Sequence, residues 1–184
     1  LALFVLILAR PLSREHVTAS SEGAKDAPAA VVFCLDNSPS MQYRHLGYSR
    51  LEAAKRLAHR LAETLPPRSR TAVLDLVAAG QVRSLDRDLG SLPGRIERVT
   101  PTFLASPLGG MIQAAETLLE SAQEDRKEIY LFTDMTAAAW RGLAKGAFAR
   151  FADVPVYVLD VGAEENLNVA LLEPRLSTRV AAPN

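Results

Sequence analysis

Seven consecutive apolar residues, Ala29–Leu35, limit what this chain can become. The run has the length and composition of a strand buried on both faces, and such strands belong to parallel sheets covered by helices. Three more strand-like runs follow, at residues 71–79, 128–133 and 154–161, and 168–172 offers one more. Between them, residues 48–65, 107–122 and 137–151 read as helices. In the first, Leu51, Ala54, Leu57, Ala58, Leu61 and Leu65 recur at three and four, with charged residues between. Ser49 and Glu52 form a capping box at its start, and Pro66-Pro67 stops it. In the second, Ser106 suits an N-cap and Pro107 a first-turn position.

Strands of five to nine residues alternating with longer helices predict an α/β fold. The expected architecture is a doubly wound, mostly parallel, Rossmann-like sheet with helices on both faces. Gly80 and the more polar residues 81–85 predict one short antiparallel edge strand. Residues 95–99 predict a short helix.

At 184 residues, the chain is long enough for one domain with a proper core. Basic and acidic residues number 21 each, so no field of one sign exists to recruit nucleic acid. The single cysteine, Cys34, lies inside the apolar run and reads as a small core residue.

The first nine residues, Leu1 to Ala9, are all apolar and precede Arg10-Pro11. They would make roughly 13 Å of helix, against about 20 residues for a full span. The tail of a transmembrane helix, part of a signal peptide and a buried strand all fit. The absence of any polar residue or period favours a membrane segment. Residues 12–28 are mostly polar or small and read as a linker.

The chemistry concentrates where the first strand ends, at Asp36-Asn37-Ser38-Pro39-Ser40-Met41. One carboxylate and two hydroxyls at alternate positions are hard oxygen donors, suited to Mg²⁺ or Mn²⁺. Alone, the stretch reads equally as a capped turn. Asp134 closes the third core strand, and Thr102 and Ser106 lie in the loop that enters the helix before it. Parallel strands put their carboxyl ends on one edge, where α/β sheets bind ligands. A magnesium-sized ion there could meet Asp36, Ser38, Ser40, Asp134 and one hydroxyl of the middle loop.

Asp-x-Ser-x-Ser after a buried strand, Thr102 to Leu108 leading into a helix, and Thr133-Asp134 closing the next core strand resemble a von Willebrand factor A domain. The resemblance covers roughly residues 29–165, leaving 1–11 as the end of a transmembrane helix, 12–28 as linker and 166–184 as a C-terminal extension. It implies a metal-ion-dependent adhesion site. Carried over by position, its metal ligands are Asp36, Ser38, Ser40, Thr102 and Asp134, holding Mg²⁺ or Mn²⁺. Two departures stand out: Pro101 precedes Thr102 where the family usually has Gly, which makes Ser106 a rival, and Met135 follows Asp134 where many members have Gly. A narrower likeness rests on Leu8-Ala9-Arg10-Pro11, Leu35 to Met41, Phe132-Thr133-Asp134 with Trp140, and Asp160-Val161-Gly162 before Asn168-Val169-Ala170. These are similar to bacterial aerotolerance-type (BatA-like) membrane proteins. That likeness implies anchoring in the cell membrane by N-terminal helices, with the domain on the extracytoplasmic side.

The function this implies is a protein-binding module, its cation completed by an Asp or Glu carboxylate of a partner protein. One alternative is a metal-free structural scaffold with a degenerate site. The other is a magnesium-dependent, phosphatase-like hydrolase. Aspartyl-nucleophile phosphatases need a second Asp two residues on, where this chain has Ser38. The chain also has no Gly-x-x-x-x-Gly-Lys-Ser/Thr loop and no Gly-x-Ser-x-Gly elbow. Of the three histidines, only His45 lies near the site loop; His16 and His59 read as solvated. Arg44 and Tyr48 flank that loop, and Trp140 reads as core or as part of a docking face. No enzymatic activity is expected.

Overall fold

The computed structural model describes residues 27–103, 108–137, 139–140 and 154–162. A four-stranded sheet is built from β1 (Ala29–Leu35), β4 (Arg70–Leu74), β5 (Arg126–Thr133) and β6 (Val156–Asp160). Its order is β4-β1-β5-β6, and every pairing is parallel. A small antiparallel pair, β2 (Arg44–His45) and β3 (Tyr48–Ser49), forms a second sheet. The described helices are α1 (Arg50–Ala62), α2 (Leu92–Glu97) and α3 (Leu108–Glu120).

All seven residues of β1 are completely buried, as an unbroken apolar run demands. Alternate side chains go to opposite faces. Ala29, Val31, Phe33 and Leu35 pack with Leu51, Ala54 and Ala58 of α1 and with Leu92 and Ile96 of α2. Ala30, Val32 and Cys34 pack with Leu108, Met111, Ile112, Ala115 and Leu119 of α3. One strand thus anchors two cores, and the sheet is covered on both faces. Burial pushes the Cys34 thiol far above its ordinary range, so it behaves as an inert apolar residue.

The N-terminus of α1 is held by the Ser49–Glu52 capping box, with the Glu52 amide donating to Ser49 Oγ at 3.1 Å and the Glu52 carboxylate accepting from the Ser49 amide. The helix ends at Ala62, three residues inside the expected 48–65.

Two expectations at the sheet edge need correction. The strand read as 71–79 ends at Leu74, because Asp75 Oδ1 accepts the amides of Val77 (2.8 Å) and Ala78 (2.6 Å) and turns the chain. Residues 81–85 form no strand. What remains of the antiparallel edge is one bridge, Thr71 to Asp86, with both backbone bonds at 2.8 Å. The short helix expected at 95–99 starts three residues earlier and ends two earlier, with Pro93 in its first turn.

The expected membrane segment, the linker through residue 26, Ser106, most of helix 137–151, strand 168–172 and the C-terminal extension lie outside the described residues. Among the described residues, no helix is long and apolar enough to cross a membrane.

The strand order places the site. From β1 the chain moves outward to β4; from β5 it moves the other way, to β6. The switch point therefore falls between β1 and β5, whose carboxyl ends deliver Asp36 and Asp134. A crevice at such a point is where open α/β sheets bind ligands.

Candidate functional site

Asp36 leaves β1 with its amide bonded to the Phe132 carbonyl at 2.9 Å, so the residue stays in register with β5. It is fully buried. Its Oδ1 accepts the Ser38 amide at 2.9 Å, and its Oδ2 accepts the Thr133 hydroxyl at 2.8 Å. Among the described residues, no cationic side chain pairs with it. A desolvated carboxylate met only by neutral donors is costly without a counter-charge.

The loop then makes a short 3-10 turn over Pro39–Gln42, packed inward by Met41. This turn brings the Ser38 and Ser40 hydroxyls to 3.2 Å from each other. Thr102 is tied to the same loop: its amide donates to the Asn37 carbonyl at 2.8 Å. Asp134, its side chain wholly buried, stands at the end of β5. Its Oδ1 is 3.4 Å from the Thr136 amide, and its Oδ2 accepts from Arg50 Nη1 at 2.6 Å.

The three loops therefore meet, and all five expected residues lie on them. The donors are two carboxylates and three hydroxyls, all hard oxygen, and among the described residues no cluster of three or more His, Cys, Asp or Glu side chains exists. The chemistry fits a hard divalent ion, and the uncompensated Asp36 carboxylate fits a need for one. In such a complex Asp36, Ser38, Ser40 and Thr102 would supply oxygens, with Asp134 beside them.

The turn after Asp134 keeps its shape without glycine. Met135 adopts φ +56°, the left-handed region that L side chains enter at a cost. The residue is 46% exposed, and Phe103, directly after Thr102, is 88% exposed. Two apolar side chains thus stand open beside two of the three loops.

Three participants escaped the sequence reading. Asn37 is nearly fully buried and brackets the neighbouring loops: its Nδ2 donates to the Thr100 carbonyl at 2.8 Å, and its Oδ1 accepts the Leu76 amide at 3.1 Å. Thr133 holds Asp36. Arg50 holds Asp134 and also donates to the Ser40 carbonyl at 3.3 Å. A signal for Arg50 existed, since it falls four residues before Ala54 and eight before Ala58, on the buried stripe of α1.

The other flagged residues take plainer places. His45 is exposed on β2, and Arg44 Nη2 donates to the Gly47 carbonyl at 2.7 Å. Tyr48 receives the Arg56 guanidinium over its ring at 4.6 Å. His59, read as solvated, bonds Glu97 at 2.7 Å. Trp140 is half-buried against the α3 core.

Fold and site define a parallel α/β domain with a cluster of oxygen donors at its topological switch point. The von Willebrand factor type A domain profile matches residues 31–137, more than half of the chain, which belongs to that family. Members of the family often mediate protein–protein interaction or adhesion. Among solved structures, the chain is similar to the vWF domain of the type V pili tip protein Mfa5 from Porphyromonas gingivalis. The identity is 21% and the TM-score 0.47, with 59% of this chain and 38% of that chain covered. A structure of three N-terminal domains of Mfa5 matches at 19% identity and a TM-score of 0.42, covering 57% of this chain and 19% of that one. The chain thus spans less than half the length of either. No curated protein matches it.

Proposed function

We propose that this domain is a metal-dependent protein-binding module. A Mg²⁺ or Mn²⁺ ion is held by Asp36, Ser38, Ser40, Thr102 and Asp134, and an Asp or Glu carboxylate of a partner protein completes it. The observation that carries this reading is the Asp36 carboxylate: fully buried, bonded among the described residues only to the Ser38 amide and Thr133 hydroxyl, at the start of the loop on which the Ser38 and Ser40 hydroxyls meet. The ion links recognition to geometry, and no bond is broken. Exposed Phe103 and Met135 beside the site give a protein surface apolar contact around the charged centre. The N-terminal apolar segment would anchor the chain in a bacterial membrane, with the domain on the extracytoplasmic side.

A hydrolase is the weaker reading, since Ser38 stands where an aspartyl-nucleophile phosphatase needs its second Asp. The metal-free scaffold is favoured by one observation: Arg50 already neutralises Asp134.

Calorimetric titration of Mg²⁺ and Mn²⁺ into the full chain, alone and with acetate as a carboxylate probe, separates these readings. The module predicts saturable binding, tightened by acetate and lost in Asp36→Ala. Calorimetric silence toward both ions, even with acetate present, would leave the scaffold.

A further inference from the structure

Arg50 places a positive charge inside the candidate site. It is the first residue of α1 and only 7% exposed. Its Nη1 donates to Asp134 Oδ2 at 2.6 Å and to the Ser40 carbonyl at 3.3 Å, and its guanidinium lies 4.7 Å from the Tyr43 ring centroid. The Ser40 contact sets that charge against the same short segment whose Ser38 amide donates to Asp36.

We infer that Arg50 sets the charge of the site: it neutralises Asp134, so that a bound divalent ion keeps a positive charge that only an outside carboxylate offsets. This rests on the metal-binding reading above. With Asp134 committed to Arg50, the site offers the ion one uncompensated carboxylate, Asp36, rather than two. Ion and site together then carry net positive charge beside the buried Asp36, Arg50 and Asp134 side chains, where charge interactions are stronger than in bulk water. An ion alone binds weakly, and an ion with a partner's carboxylate binds well. By linkage each raises the affinity of the other by the same factor. Without Arg50, two carboxylates would satisfy the ion, and its demand for a third would fall. Arg50 thus acts through charge as a specificity determinant, favouring an acidic partner over metal alone.

The test measures Mn²⁺ affinity calorimetrically on the full chain, with and without acetate, for the native protein and three variants. Arg50→Met should bind Mn²⁺ alone about tenfold tighter or more and lose most of the acetate enhancement. Asp134→Asn, which leaves Arg50 without its counter-charge, should bind more weakly than the native protein. Arg50→Met/Asp134→Asn restores a neutral pair and should return to near-native affinity. Thermal unfolding checks that each variant is folded; should Arg50→Met unfold, the double variant against Asp134→Asn still decides. If Arg50 only props up the fold, or Asp134 matters only as a ligand, the double variant regains nothing and the inference fails while metal binding stands. If no variant, including the native protein, binds Mn²⁺ with acetate present, inference and metal-binding reading fall together.

Discussion

The Thr133 hydroxyl donates to Asp36 Oδ2 at 2.8 Å, joining the ends of two adjacent parallel strands across 97 positions of sequence. Both residues are fully buried. Thr133→Val keeps the shape and β-branching but leaves one carboxylate oxygen without its donor. Such a loss next to a charge costs about 2 kcal/mol. Urea unfolding should show that drop in stability with an unchanged m-value. A difference near zero would mean that water replaces the hydroxyl and that Asp36 is less enclosed than its burial indicates.

Asn37 joins three loops through its two side-chain bonds to Thr100 and Leu76. Asn37→Ala orphans a carbonyl and an amide together. We expect a destabilisation of about 2 kcal/mol and faster hydrogen exchange at the Leu76 amide than at the amides of β1. Uniform acceleration across the sheet, with nothing particular at Leu76, would count against a local bracing role.

Met135 sits at φ +56° and is 46% exposed. Glycine there loses little buried surface and removes the left-handed penalty. Met135→Gly should stabilise the domain by about 1 kcal/mol, and Met135→Val, whose branched Cβ tolerates this region poorly, should destabilise it. Chemical denaturation midpoints check the order. If glycine lowers the midpoint, the Met135 contacts outweigh the backbone strain.

Arg70 and Glu124 form a two-bond pair at 2.6 Å, with the Glu124 side chain 14% exposed. The hydrogen bond from Arg70 is the main cause holding the Glu124 carboxyl below its ordinary value. A lowered folded-state value means the contribution is present above the unfolded value and disappears as pH falls through the folded one. Glu124→Gln should therefore cost about 1 kcal/mol at pH 7, and the gap from the native protein should close below about pH 4. A gap that stays constant from pH 7 to pH 3 would show that the pair acts through shape and not charge.

How much of this was legible beforehand varies with the element. The unbroken run of β1 and the Ser49–Glu52 box of α1 were readable because each depends on neighbours in sequence. The end of β4 was not read, although Asp75 carries the signal: apolar content through Ala79 suggested a longer strand, and the side chain's capture of two amides overrode it. Thr102 and Asp134 were expected at one edge because parallel strands share their carboxyl side. Arg50 looked like one more charge among the polar residues of an amphipathic helix.

The sequence by itself determined the buried strand β1, the helices α1 and α3 with the faces they bury, and that oxygen donors terminate two core strands. These follow from periodicity and local bonding, which need only a few adjacent residues. Only the tertiary structure decided that Thr133 would hold Asp36, that Asn37 would bracket the neighbouring loops, and that Arg50 would reach Asp134 from 84 positions away. The physical reason is that a buried charge takes its partner from whatever the strand order brings within hydrogen-bonding distance. The order β4-β1-β5-β6 is a property of the packed sheet and of no single segment.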